Sequence, residues 1–319
     1  MMSQPVQPGN AHHIPHAGTE LYDVQRDELV VDPVPADAQA PKPGVLKRLV
    51  QRFSVLGLIG LTLVTFWLVV AFIGPLVAPY KGGVLTSTEI FGRYSAAYPL
   101  GTDYLGRDML SRILYGARYT VGLALAAAVL ASVIGTFFGL LAAVSGRVVD
   151  EVLSRLFDAL ISIPSKVLAL VVIAAFGSSI PMLTAVAALA YIPGAFRISR
   201  SLAVNLMGLE YVQVARARGE GIFYIARVEV LPNMIHPMLA DFGLRFVFIV
   251  LLLSGLSFLG LGVQPPNADW GSLVRENIGG LSEGAPAVLM PAVAIATLTI
   301  GMNLLIDNLR RRGRSHGGA

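Results

Sequence analysis

Six stretches of this chain stay apolar for about twenty residues or more: 54–78, 119–145, 156–177, 181–203, 234–262 and 286–306. A hydrocarbon layer about 30 Å thick is crossed by about 20 residues of helix. No water inside that layer can satisfy a bare backbone amide, so helices and closed barrels are the only spanning structures. Each stretch is therefore expected to be a transmembrane helix. The charge inventory agrees, because only 14% of the 319 residues are charged against 55% hydrophobic. A soluble domain carries about 25% charged residues to coat its surface. The 33 Gly and 19 Pro suit helices that pack through small residues and are broken at intervals. Zero Cys excludes disulfides, thiolate metal sites and Cys nucleophiles. The expected class is an all-α, polytopic membrane protein.

The basic residues orient it. With the N-terminus inside, sixteen Lys and Arg from Lys42 onward fall on the cytoplasmic side, among them Arg147, Arg155, Arg197, Arg200, Arg216, Arg218 and Arg227. Six fall outside: Lys81, Arg93, Arg107, Arg112, Arg118 and Arg275. The positive-inside rule thus gives six spans, N-in and C-in. Residues 1–44 hold seven Pro, six acidic and only two basic residues, with no sustained apolar period, and are expected to form a disordered cytoplasmic tail. His12, His13 and His16 within it are incidental rather than a metal tract. Residues 45–118 would carry the first span with an external loop, 119–306 a five-helix core, and 307–319 a basic cytoplasmic tail.

Catalytic chemistry is missing. There is no G-x-x-x-x-G-K-[ST], no H-E-x-x-H and no G-x-S-x-G, so neither a P-loop nor a hydrolase or zinc-protease constellation is written here. No catalytic residue, cofactor or metal is expected in this chain. A formal net charge of +4 is too small to imply a nucleic-acid partner, and the partner that composition does imply is membrane lipid. Energy for any transport must come from a gradient or from another subunit.

Five features carry information. Residues 204–233 are too polar to span and too long for a turn; Tyr211, Val212, Ala215, Ile222, Ile225 and Ala226 recur at helical spacing. Gly208 and Gly219 are expected breaks there, and Pro232 the end of the segment. A structured insert of this length points to a docking element. In 101–118, Leu105, Met109, Ile113 and Leu114 form one apolar face, which predicts a helix along the outer interface that packs there or meets an external protein. Gln264-Pro265-Pro266 must end the fifth span, and Trp270 beyond it suits an interfacial anchor. Asp241 and Arg245 lie four residues apart within that span. Each costs about 2.5–3.5 kcal/mol at a span centre, so they either pair within the bundle or line a path and meet a zwitterionic substrate. Gly135-x-x-x-Gly139 reads as intrachain helix packing.

The residues from Tyr211 to Gly219, followed by Leu231-Pro232-Asn233, resemble the E-A-A motif of ABC-importer permeases. Gly219, Leu231 and Pro232 stand at the motif's offsets, whereas Gln213 replaces its Glu, Val214 its first Ala and Glu229 its Ile. Pro99 to Asp108, with Ser111-Arg112 and Tyr115-Gly116-Ala117-Arg118, resembles the start of the permease domain in dipeptide/oligopeptide/nickel importers. Leu256 to Pro266, ending in Asp269-Trp270-Gly271, and Asn303-Leu304-Leu305 with Asp307 are similar to that family's later signatures. The resemblance covers about 45–312 and is to the "C" permease subunit type. It implies a type I ABC-importer permease fold in the bacterial cytoplasmic (inner) membrane. It also implies a homologous second permease as heterodimer partner, two cytoplasmic ATPases that hold ATP and Mg, and an external substrate-binding protein. Tyr211, Gln213, Ala215, Arg216, Gly219, Leu231 and Pro232 would form the ATPase-coupling segment, with Asp241 and Arg245 as translocation-path candidates. Asp103, Arg107, Asp108 and Trp270 would be candidates for the external contact. The implied cargo is a di- or oligopeptide; nickel, opines and glutathione are alternatives within the class, and a gradient-driven carrier is the alternative outside it.

Overall fold

The structure, a computed structural model, describes the backbone of residues 54–316 and the side chains of residues 54–310. The expected tail with His12, His13 and His16, together with the basic Lys47, Arg48 and Arg52, lies outside the described residues. The described chain forms α1 (Val55–Val77), α2 (Met109–Val144), α3 (Arg147–Ile161), α4 (Ser165–Phe176), α5 (Ile180–Met207), α6 (Glu210–Ala217), α7 (Ile222–Phe258), α8 (Trp270–Glu276) and α9 (Pro286–His316). No strand occurs among the described residues. Five of these helices are long and apolar enough to cross a membrane, and α3 with α4, bent by 79° at a short break, completes six.

Several boundaries differ from the expected ones, each for a local reason. Residues 101–118 do not make a separate interfacial helix. From Met109 on they are the outer end of the 36-residue α2, because the Asp108 carboxylate accepts from the Ser111 amide at 2.8 Å and caps the helix there. Met109 and Ile113 are accordingly buried in the bundle, while Leu105 stays outside the helix. The third span is not one helix from 156. Its expected loop at 146–155 is helical, since the acids of α3 turn toward α5: Asp158 pairs with Arg197 at 2.6 Å and Asp150 with Arg200. Pro164 then breaks the span, having no amide to continue the ladder and disfavouring helix at Ile163.

Pro232 does not close the segment before the fifth span. The helix runs through it without interruption because Ile225–Val230 is wound as a π-helix, with the Leu231 amide reaching back to the Ala226 carbonyl. A helical turn of this wider kind is a known accommodation inside α-helices. Downstream, the regular helix stops at Phe258, four residues before the expected end, and α9 extends to His316 rather than yielding to a tail at 307. The turn between the third and fourth spans is as expected, with Gly177 at φ +85° and the Ser179 side chain capping α5.

At the centre, α2 lies along α5. A Cβ placed on Gly135 or Gly139 would collide with Ala195 and Ser199 and with the α5 backbone beside them, so the two glycines are what lets the helices touch. That is the intrachain packing the spacing predicts. The outer helix α1 is fastened to α9 by polar contacts: Trp67 Nε1 donates to Thr297 Oγ1 at 3.0 Å and Asn308 Nδ2 to Ser54 Oγ at 2.9 Å.

Gly135→Leu is expected to lower the thermal unfolding midpoint in detergent sharply, through overpacking that costs about 1–3 kcal/mol or more. Gly255→Ala, at an exposed helical glycine with open space around it, should leave the midpoint unchanged or raised. Equal midpoints for the wild type and Gly135→Leu would refute the close-approach account.

Candidate functional site

Two features at opposite ends of the bundle, and one within it, bring together the residues singled out by sequence. At the cytoplasmic end, α6 and the start of α7 form an elbow. Val212, Ala215, Ile225, Val230 and Met234 pack with Ala203 into an apolar cluster separate from the main core. Gly208 and Gly219 do separate the helices, and Gly219 sits at φ +82°, a conformation L side chains rarely adopt. Gln213 donates to the Met207 carbonyl at 2.9 Å and so ties α6 to the end of α5.

The apolar residues of the elbow divide into two sets. Val212, Ala215 and Ile225 point inward, whereas Tyr211 and Ile222 are exposed together with Val214, Tyr224 and Val228. Phe223, absent from the expected set, is 84% exposed. Its signal in the sequence was an aromatic residue in a short apolar run bounded by Glu220 and Arg227. Arg216, Arg218 and Arg227 are exposed around this apolar patch, as is Pro232, while Leu231 is half-buried.

At the outer end, the expected contact of Asp103, Arg107, Asp108 and Trp270 with an external protein is not available to these side chains. Asp103 and Trp270 have no exposed surface, and Asp108 and Arg107 are buried. They act as internal staples. The Asp103 carboxylate accepts from Arg107 Nε at 2.6 Å and from Arg112 Nη1 at 2.7 Å. Glu276 of α8 accepts from the same two arginines at 3.2 and 2.7 Å, and Asn277 Oδ1 accepts the Tyr104 amide at 3.0 Å. Two acids thus answer two arginines and lock the external loop onto α8. Glu276 was missed by sequence reasoning, because Asp103 and Asp108 already match the two arginines in number, and only the structure shows Asp108 spent on capping α2. Trp270 is not an interfacial anchor: its ring meets Trp67 edge-on at 4.7 Å and its Nε1 donates to the Ile113 carbonyl at 3.0 Å.

The loop before α8 is held by Asp269, which caps that helix through the Ser272 amide at 2.9 Å and accepts from Ser257 Oγ at 2.5 Å. Burial pushes the Asp269 carboxyl above the usual carboxylate range, with those hydrogen bonds opposing the rise.

Within the membrane, Arg245 and Asp241 form the expected ion pair along α7. Arg245 Nη1 also donates to the Tyr191 carbonyl of α5 at 2.6 Å, and Tyr191 in turn donates its hydroxyl to the Phe248 carbonyl at 3.2 Å. The pair is therefore built into the α5–α7 seam, with Arg245 buried and Asp241 keeping a little open surface. Arg245 Nε is buried without an acceptor. No cluster of metal-ligating side chains occurs among the described residues.

Glu276→Ala leaves two buried guanidinium groups sharing the single Asp103 carboxylate and should cost about 3 kcal/mol or more, since one buried positive charge is then uncompensated. Arg155→Ala, which removes an exposed pair with Glu151, should cost under about 1 kcal/mol. Thermal unfolding of the two variants side by side checks this, and equal losses would contradict the staple.

Residues 135–315 match the family described as "Binding-protein-dependent transport system inner membrane component". The chain is 30% identical over 259 residues to the dipeptide transport system permease protein DppC of Haemophilus influenzae, covering 79% of this chain and 88% of that protein. It is 32% identical over 277 residues to a putative peptide transport system permease protein of Brucella suis, covering 87% and 93%. To the glutathione transport system permease protein GsiD of Pectobacterium atrosepticum it is 33% identical over 216 residues, covering 68% and 72%. With six apolar crossings and this match, the chain belongs to the family of binding-protein-dependent transport system inner membrane components.

Proposed function

We propose that this chain is a permease subunit of an ATP-driven importer that carries di- or oligopeptides across the bacterial cytoplasmic membrane. The observation that carries this reading is the elbow between α6 and α7. Its inner side is packed while Tyr211, Val214, Ile222 and Phe223 face outward among arginines. An exposed apolar patch rimmed by charge marks a protein interaction site. The partner assigned to it is a cytoplasmic ATPase, with a second ATPase serving a homologous second permease. ATP and Mg are held by those subunits, and an external binding protein delivers the cargo. The similarity to dipeptide and peptide transport permeases supports a peptide cargo. The glutathione permease relative supports a second reading within the same class, in which the cargo is a modified peptide.

In this mechanism the chain converts nothing chemically. Closure of the ATPases pushes on Phe223 and its neighbours. Because α7 is continuous from Ile222 to Phe258, the push reaches the Asp241–Arg245 level without crossing a loop. Gln213, Ala215 and Arg216 keep α6 seated, and Gly219 sets the angle between α6 and α7. Asp241 and Arg245 are assigned to the path wall, where a carboxylate and a guanidinium can meet the two charged ends of a peptide. A gradient-driven carrier leaves the elbow without a purpose.

Gly219→Pro replaces a residue at positive φ by one fixed near −65°. Peptide uptake into proteoliposomes is expected to fall to background while the co-purifying ATPase still hydrolyses ATP. Undiminished uptake would sink the coupling role. The double substitution Asp241→Asn with Arg245→Met removes both charges together and so strands neither. It should lower uptake of a dipeptide with free termini at least about tenfold, the equivalent of one lost charge-assisted contact of roughly 1.4 kcal/mol, with subunit assembly unchanged. Normal uptake by this variant would take the pair out of the path.

A further inference from the structure

A groove of about 350 Å³ opens between α1 and α2, lined by Ala71, Phe72, Leu76, Val121 and Gly122 together with Arg118. It lies toward the outer end of both helices. Gly74 of α1 packs against Leu114 of α2, and Arg118 stands one turn deeper, about level with Ala71. At the helical rise per residue that is about 9 Å in from the outer end of α1. Arg118 is exposed and has no ion-pair partner among the described residues. The rest of the lining is apolar, with Phe72 and Leu76 lying 75% and 84% exposed.

An arginine that faces lipid without a carboxylate is costly unless its long side chain carries the guanidinium to a polar acceptor. Near the outer boundary the acceptor within reach is a phosphate, whose oxygens match the guanidinium fork in two parallel hydrogen bonds. The groove below supplies what a free anion would not use, an open apolar channel beside Phe72 and Leu76, with space over Gly122 where no atom lies within 4 Å of an added Cβ. We infer that this groove binds one glycerophospholipid of the outer leaflet, its phosphate on Arg118 and one acyl chain laid between α1 and α2. The elements that face Arg118 across the groove bring no competing acid, since α1 carries none between Val55 and Val77. The bound lipid would then act as filler between α1 and the core helix α2.

Native mass spectrometry of the full chain, released from detergent with added dioleoyl phosphatidylglycerol, tests the site. The wild type is expected to retain one lipid per chain. Arg118→Gln, which removes the cation, and Gly122→Leu, which fills the channel from an exposed helical position, should each raise the half-saturating lipid concentration about tenfold. Diolein, with the same acyl chains and no phosphate, should not be retained, and millimolar inorganic phosphate should not displace the lipid. Equal retention by both variants, or equal retention of diolein, overturns the proposal. Displacement by inorganic phosphate would reassign the site to a free anion. Loss of the lipid when the chain is assembled with its partner subunits would assign Arg118 to another subunit's carboxylate instead.

Discussion

Helices in hydrocarbon gain nothing by hiding leucine from leucine, so this bundle is held by how closely its backbones approach. The contact of α2 with α5 through Gly135 and Gly139 is the axis on which the other crossings are arranged. Along α2, Ala117, Ala124, Ala127, Ala128 and Ala131 are wholly buried, and each adds dispersion contacts that a larger side chain would prevent. With the axis fixed, α1, α7 and α8 also pack against α2, and α1 meets α8 through Trp67 and Trp270. The bent α3–α4 pair is seated on the bundle by apolar burial, with Phe157 of α3 meeting Phe196 of α5 at 4.5 Å and Ala169 and Ile173 of α4 buried, and two arginines of α5 add ion pairs to α3.

The charges serve different ends. The buried ones at the outer end, Asp103, Arg107, Arg112 and Glu276, fasten a loop, and the pair in the middle fastens two helices. Those at the cytoplasmic elbow are left open. Desolvated ions persist only when answered by partners, and Asp103, Arg107, Arg112 and Glu276 meet that condition with almost no water around them. The elbow arginines meet no such condition and surround exposed aromatics. The elbow arginines thus keep open surface, whereas the quartet that fastens the outer loop is desolvated.

The number of crossings and their direction were legible because hydrophobic length and basic-residue placement act locally along the chain. The elbow was legible as well, because Gly208 and Gly219 punctuate a polar segment of helical period. What escaped was pairing at a distance. Arg112 and Glu276 are 164 residues apart, and no local pattern says that they meet, so Asp103 and Trp270 read as surface residues when they are interior ones. The same blindness hid α3, whose charges look solvent-bound until Arg197 and Arg200 are brought beside them. Pro232 misled in the opposite sense. A strong local rule predicted a break, and the wider turn upstream accommodated it.

That wider turn changes the phase of everything after it. A π turn takes about one residue more than an α turn, and one residue is worth roughly 100° of rotation at 3.6 residues per turn. The side of α7 that faces α5 at Arg245 is therefore offset from the side that a regular helix begun at Ile222 would present. A helical wheel drawn straight through 222–258 assigns the wrong face to the membrane half. The register between the cytoplasmic elbow and the intramembrane ion pair is thus a property of Ile225–Val230, held by backbone winding rather than by any side chain at either end.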